Sequence, residues 1–281
     1  MKRTLTAWTI VMRVTLAVGL LVVTVVVLFP FAYAAIFSFA PISQIFSLEP
    51  RLVPAEFTID NYVEALWGTN FLIYLRNSMI VSLTTVLLSV TIGALGGYAL
   101  GCLQVRGRGM FSMMFLLVYL LPNVLFLVPL YLLIVRMGIA DTLLSLIVSY
   151  TTFAIPFTTW TLRAFFVGIP RDLPEAAKVD GCSEFGAFVR VVLPLAAPGI
   201  ATAAVFAFIL AWNELLFALT FVSSDTSKVI TVGISAVLGQ WSTQVGVLLA
   251  FTVLAGLPVL IFFVLLNKFL IRGLTAGSVK G

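Results

Sequence analysis

The stretch Glu175–Pro194, EAAKVDGCSEFGAFVRVVLP, is a polar, charged island between long apolar runs. Its local chemistry divides it in two. Asp172, with Glu175 three positions later, resembles a capping box with Asp in place of the usual Ser or Thr. Pro174 falls early in the helix this predicts, where its missing N–H costs little. Both carboxylates then lie near the positive helix end. Gly181 permits a sharp turn or a close backbone approach. Ser183 is placed to cap a second short helix that ends before Pro194. The pattern predicts helix, glycine turn, helix, protruding from its surroundings. The same residues, taken alone, equally describe a solvated loop between helices.

The surroundings are membrane. Of 281 residues, 62% are hydrophobic and only 10% charged, against about 25% charged in a soluble domain. No water-soluble core absorbs that much apolar sequence, so the chain is read as polytopic. It has no histidine and two cysteines, Cys102 and Cys182, far apart in sequence. That argues against a zinc site, a histidine-based triad and a disulfide framework. The net charge of +5 comes from basic residues scattered over membrane-flanking loops and is not a nucleic-acid signal.

Six apolar segments reach the roughly 20 residues a helical span needs: Val14–Phe37, Met79–Leu103, Phe111–Val135, Leu143–Phe166, Leu195–Val222 and Val245–Ile271. The expected fold class is therefore an all-α membrane protein with six transmembrane helices, forming one polytopic domain over residues 1–281. Lysine and arginine placement sets the orientation. Lys2, Arg3, Arg13, Arg106, Arg108, Arg163, Arg171, Lys178, Arg190, Lys268, Arg272 and Lys280 share one side, leaving Arg51, Arg76, Arg136 and Lys228 on the other. Both termini and loop 167–194 are then cytoplasmic, where the two cysteines stay reduced. Lys2, Arg3, the apolar run and Ala32-Tyr33-Ala34 imitate a secretory signal. The run is longer than a signal core and five spans follow, so it is read as an uncleaved first helix.

The spacing of the polar island resembles the cytoplasmic loop of permease subunits in binding-protein-dependent ABC importers. There the pattern is E-A-A, three residues, G, nine residues, I, one residue, L-P. Here Glu175, Ala176, Ala177, Gly181, Leu193 and Pro194 match, and Val191 replaces Ile. The resemblance implies the ABC importer permease fold, with this loop docking on a separate ATPase subunit. Three further stretches resemble the carbohydrate-uptake, maltose-type branch: Phe57-Thr58 with Asn61-Tyr62, Trp212-Asn213-Glu214, and the tail from Arg272 to Gly281. The tail residues Gly273, Leu274, Thr275, Gly277 and Lys280 carry that likeness, which implies a tail reaching towards the ATPase. Read for itself, the tail is too glycine-rich for a stable helix.

Inside the spans, Gly93, Gly97 and Gly101 repeat every fourth residue. They form one smooth helix face, for close packing or for lining a pore, with packing favoured. Pro122, Pro129, Pro156 and Pro258 interrupt three spans. Glu214 costs about 2.5–3.5 kcal/mol at mid-bilayer unless it faces a cavity or a partner. It reads equally as a functional carboxylate or as a structural hydrogen-bonding group. Trp212, Asn213, Glu214, Asn123 and Tyr119 are candidates for a polar translocation path, with Tyr98 and Trp160 weaker. In the first outer loop, segment 57–67 predicts a short capped interfacial helix that anchors two spans or meets a partner. The loop 223–244 is a connector or reaches a docked solute-binding protein.

No G-x-x-x-x-G-K-[ST] phosphate loop occurs. The chain is not expected to be an enzyme or to bind a cofactor or metal; ATP and Mg belong to the partner ATPase. The resemblance implies an ATP-driven importer in the bacterial inner membrane. Its parts are an ATPase dimer, a second and different permease, an extracytoplasmic solute-binding protein and a sugar-type substrate. A stand-alone ion-coupled transporter using Glu214 is the alternative. A membrane-embedded enzyme finds no clustered acid set.

Overall fold

The computed structural model describes residues 7–46, 51–240 and 245–276. Helices α1 (Ala7–Phe37), α2 (Ile42–Ile45) and α3 (Asp60–Val63) lead into α4 (Phe71–Gly101). Helices α5 (Arg108–Leu120), α6 (Leu127–Arg136) and α7 (Leu143–Val167) follow. Next come α8 (Asp172–Val179), α9 (Glu184–Ala187), α10 (Leu193–Leu195), α11 (Ala197–Asn213) and α12 (Leu216–Phe221). The series closes with α13 (Ile230–Gln240) and α14 (Val245–Ala276). Four helices are long and apolar enough to cross a membrane, or up to six segments if each of two bent pairs is one span. The described residues are otherwise turns and loops, with no strand.

Two predicted spans are not continuous helices. The third bends by 92° between Arg108–Leu120 and Asn123–Arg136. Leu121 precedes Pro122 and is extended (φ −71°, ψ 137°), because a proline ring disfavours helical backbone at the residue before it. Pro129 falls in the first turn of α6, and Pro156 and Pro258 lie inside unbroken helices. The fifth predicted span breaks at Glu214, which is extended (φ −70°, ψ 119°). At its start the chain bends by 78° between Glu184–Leu195 and Ala197–Asn213. Half of the loop 223–244 is helical, as α13. The tail stays helical through Ala276. Extending an existing helix needs no new nucleus, so Gly273 is carried along. Gly277, Lys280 and Trp241 lie outside the described residues.

The chain divides into two compact units. One comprises Met1–Thr69 with Val237–Leu254. There Asn61 Nδ2 donates to the carbonyls of Ser38 (2.8 Å) and Ala40 (2.9 Å), just past the end of α1. The Tyr62 hydroxyl meets Ser38 Oγ at 2.7 Å, and its ring lies 4.6 Å from Phe39. Segment 57–67 thus anchors the first long helix, as α3 followed by a π turn over Glu64–Gly68.

The other unit comprises Asn70–Ala236 with Ala255–Gly281. Its most extensive contact joins α4 to α7. The glycine repeat of α4 is the reason. A Cβ on Gly97 would lie 2.8 Å from the backbone nitrogen of Arg163, and one on Gly93 would lie 2.6 Å from Thr158 Oγ1. Close approach lets Thr158 Oγ1 donate to the Ser89 carbonyl at 3.0 Å. Gly199 of α11 makes a similar approach to the Phe165 ring. At one end of this pair Val81, Ile134, Leu146, Tyr150 and Phe217 form a core. At the other, Tyr98, Leu162, Phe166, Phe188 and Val192 form a second.

The segment between α12 and α13 is held from two sides. Asn77 Nδ2 donates to the carbonyls of Thr226 and Lys228, both at 2.8 Å. Asp141 Oδ1 accepts from the amides of Ser223 (2.8 Å) and Ser224 (3.0 Å). These amide bonds, Ser224 first, hold the Asp141 carboxyl below the usual carboxylate range. Asp141 also takes a left-handed backbone (φ 58°).

Gly97→Ala is expected to destabilise the protein by about 1–3 kcal/mol through overpacking, read as a lower thermal midpoint in detergent. Gly19→Ala, where nothing lies within 4 Å of the added Cβ, should leave the midpoint unchanged or raise it. Asp141→Asn tolerates the left-handed backbone and removes only the charge. The stabilisation from a depressed carboxyl is complete above the unfolded value of about 3.9. It is lost as pH falls through the lower folded value. The melting gap between wild type and Asp141→Asn should therefore be open at neutral pH and close on acidification below about pH 4.

Candidate functional site

Helix, glycine turn and helix are all present in the Glu175–Pro194 stretch, with two local corrections. Asp172 is the first residue of α8, not its cap; Arg171 holds the cap position and no side chain caps the helix. Pro174 accounts for the shift. Its missing N–H removes one of the amides that a cap at Asp172 would serve. Ser183 does cap α9, its Oγ accepting from the Gly186 amide at 3.0 Å. That helix does not end before Pro194. It widens into a π turn over Phe188–Val192 and continues as α10. Pro194 lies inside that continuation, at the second position of α10. Gly181 has φ +89°, the left-handed region that favours glycine.

Helix α8, which carries Glu175, Ala176 and Ala177, buries no side chain. Leu173, Val179 and Phe185 are exposed, Val179 at 88%. Beyond the turn the chain goes inward, with Phe188 and Val192 buried. Leu193 is half-buried and Pro194 exposed. A cleft of about 200 Å³ lies beside the loop, lined by residues including Tyr98, Cys102, Arg171, Glu175, Lys178 and Glu184. Glu184 is the group that sequence reading missed. Its Oε1 accepts from the Tyr98 hydroxyl at 2.9 Å, and its Oε2 forms an ion pair with Lys178. The Lys178 contact, then the Tyr98 bond, pull the Glu184 carboxyl below its ordinary value. Tyr98 thus belongs to this loop.

The candidates for a translocation path separate into two places. Tyr119 and Asn123 line one cavity of about 330 Å³ with Phe153, Pro156, Phe206 and Leu210. The Tyr119 ring lies 5.1 Å from Phe157 and 6.0 Å from Phe206. Phe157 and Phe206 are themselves stacked at 3.5 Å. These phenylalanines carried no signal in sequence, since a phenylalanine at helical spacing reads as core. Trp212 is buried and stacks on Phe208 at 5.3 Å, which stacks on Phe262 at 4.1 Å. Asn213 Nδ2 donates to its own helix, to the Ile209 carbonyl at 2.9 Å. The Glu214 carboxylate accepts from the amides of Leu216 (2.9 Å) and Phe217 (3.2 Å), closing the open start of α12. Trp160 is exposed. Of the tail candidates, Gly273, Leu274 and Thr275 occupy the last turns of α14. Among the described residues no group of three or more His, Cys, Asp or Glu side chains converges as a metal site.

Comparison with known proteins agrees with this geometry. Residues 93–275 match the family model described as binding-protein-dependent transport system inner membrane component. An inner membrane ABC transporter permease of Escherichia coli (strain K12), YcjP, is 35% identical over 100% of this chain and 99% of its own length. The trehalose transport system permease SugB of Mycobacterium tuberculosis is 35% identical over 87% of this chain and 93% of its own. In fold, the chain is similar to a bacterial ABC transporter involved in alginate import. That match has a TM-score of 0.78 at 20% identity and covers 94% of this chain and 98% of the other. The matched residues take in the last turns of α4, all of α7 and the Glu175–Pro194 loop, and the chain belongs to the binding-protein-dependent transport system inner membrane components, a family of multi-pass permease subunits.

Proposed function

We propose that this chain is one permease subunit of an ATP-driven, binding-protein-dependent importer of the carbohydrate-uptake type. The observation that carries the reading is helix α8. It projects Glu175, Ala176 and Ala177 on an element with no buried side chain, beside exposed Leu173, Val179 and Phe185. Apolar side chains clustered on a charged loop gain by being covered. A separate ATPase is the partner that uses them, since no phosphate loop exists in this chain. ATP and Mg are held there, and this chain contributes no cofactor site. The last turns of α14, which carry Gly273, Leu274 and Thr275, are assigned to the same partner.

A six-span topology in which the fifth span begins at α11 leaves both termini and the loop on the cytoplasmic side. The distribution of lysine and arginine, twelve against four, supports this orientation. The complex comprises two ATPase subunits, a second and different permease, and an external solute-binding protein. The cargo is a sugar or a related solute, as the SugB relative's name supports. The cavity at Tyr119 and Asn123 offers aromatic faces and one amide. Such faces stack on sugar rings, and an amide bonds hydroxyls. ATP-driven closure of the ATPases moves the loop, and the spans alternate between the two sides. An ion-coupled mechanism through Glu214 finds less support, because its carboxylate already accepts two helix amides.

Purification in mild detergent from the native membrane should recover the ATPase and the second permease with this chain. Glu175→Lys is expected to lower ATPase recovery about tenfold, roughly 1.4 kcal/mol of docking, while the chain remains inserted. Normal recovery would overturn the docking role. Glu214→Gln keeps an oxygen acceptor for both amides, so uptake of the solute recovered with the binding protein should persist. Abolished uptake with ATPases still bound would instead assign Glu214 to the solute path.

A further inference from the structure

Helix α8 takes a push from any partner docked on it, yet nothing on α8 is buried. It joins the rest of the loop through Gly181, whose left-handed turn has nothing within 4 Å of an added Cβ. The turn itself is closed by backbone bonds alone, from the Gly181 amide to the Lys178 carbonyl at 3.0 Å and from the Cys182 amide to the Ala177 carbonyl at 2.9 Å. Across that turn stands Glu184. One carboxylate oxygen is paired with Lys178 on α8, and the other accepts from the Tyr98 hydroxyl on α4. Tyr98 is itself fixed. It is 6% exposed, lies 4.7 Å from the Phe188 ring and meets Phe166 of α7 edge-on at 6.1 Å. The carboxylate therefore adds a side-chain tie from α8 to α4 beside a turn that is otherwise held only by its own backbone bonds.

We propose that Glu184 is a positioning residue that braces the Gly181 turn, so that movement of α8 is delivered to α4 through the Lys178–Glu184–Tyr98 chain. The proposal rests on the importer reading above and adds how the loop transmits. Charge-assisted hydrogen bonds suit this task, being short and directional. Tyr98 and Glu184 touch neither nucleotide nor solute in this role.

The test uses the whole complex, purified with its own ATPases and placed in lipid nanodiscs. Cys102→Ser and Cys182→Ser clear the background, and Asn123→Cys in the cavity reports by its rate of maleimide labelling. The parent complex should change that rate about fivefold or more between nucleotide-free and MgATP–vanadate states, the low end of coupling between sites. Tyr98→Phe and Glu184→Ala should bind the ATPases and hydrolyse ATP, yet show a change below about twofold. Glu184→Gln, whose amide oxygen still accepts from Tyr98, should fall between. A purely structural role would not give this order with hydrolysis intact. A full change in both Tyr98→Phe and Glu184→Ala would overturn the brace, as would loss of the ATPases from Glu184→Ala alone. Absence of ATPases from the parent complex would overturn the importer reading itself.

Discussion

The contact between α4 and α7 is the constraint on which the second unit depends. In lipid, apolar burial gives helices little reason to associate, because acyl chains are as apolar as leucine. What remains is close van der Waals approach and hydrogen bonding. Gly93, Gly97 and Gly101 supply the approach, and Thr158 bonding across to the Ser89 carbonyl uses it. Both ends of the unit are built on the same pair. At one end Phe166 and Tyr98 seat Phe188 beneath the loop. At the other, Asn77 and Ser78 of α4 hold the segment that leads into α13.

Two breaks in the helices add a second constraint. A broken helix away from water leaves amides and carbonyls that must find partners. At Glu214 the residue satisfies its own break: the carboxylate takes two amides of α12, and its carbonyl accepts from Thr231 Oγ1 at 2.9 Å. An acidic side chain, costly in a bilayer, is here the means of ending one helix and starting the next. The break at Leu121–Pro122 has a different consequence. It turns α5 away from α6 and leaves Tyr119 and Asn123 on one cavity wall. Phe153 connects the two places, lying 6.0 Å from Phe126 beyond the first break and 5.1 Å from Phe217 beyond the second.

Features set by local chemistry were legible in the sequence. The glycine repeat announced a smooth helix face, Gly181 a turn, Ser183 a cap, and the spacing from Glu175 to Pro194 the permease family. Segment 57–67 was legible as an anchor because Asn61 and Tyr62 act close to their own place in the chain. What stayed hidden depends on distant partners. Tyr98 and Glu184 meet across 86 residues, and neither residue type signals the other. Asn77 reaches Lys228 across 151 residues. Hydropathy alone also joined α11 to α12, since Leu215 and Leu216 hide the break that Glu214 makes. Helix α13 was lost among glycines and polar residues, which read as loop when the bonds from Ser78 and Asn77 are unseen.

The same geometry shows how one short loop can be exposed at one end and buried at the other. Residues that must meet another protein need exposure, and residues that must move the membrane part need burial. One short helix cannot offer both over its whole surface. The chain separates the two demands along its length. Before Gly181 the side chains face outward, Val179 most of all. After it Phe188 and Val192 enter the core beside Tyr98 and Phe166. A left-handed glycine makes the reversal in one residue, and backbone bonds to Lys178 and Ala177 close the turn. The Glu184 carboxylate, bonded to Lys178 before the turn and to Tyr98 of α4, links the exposed half to the buried one.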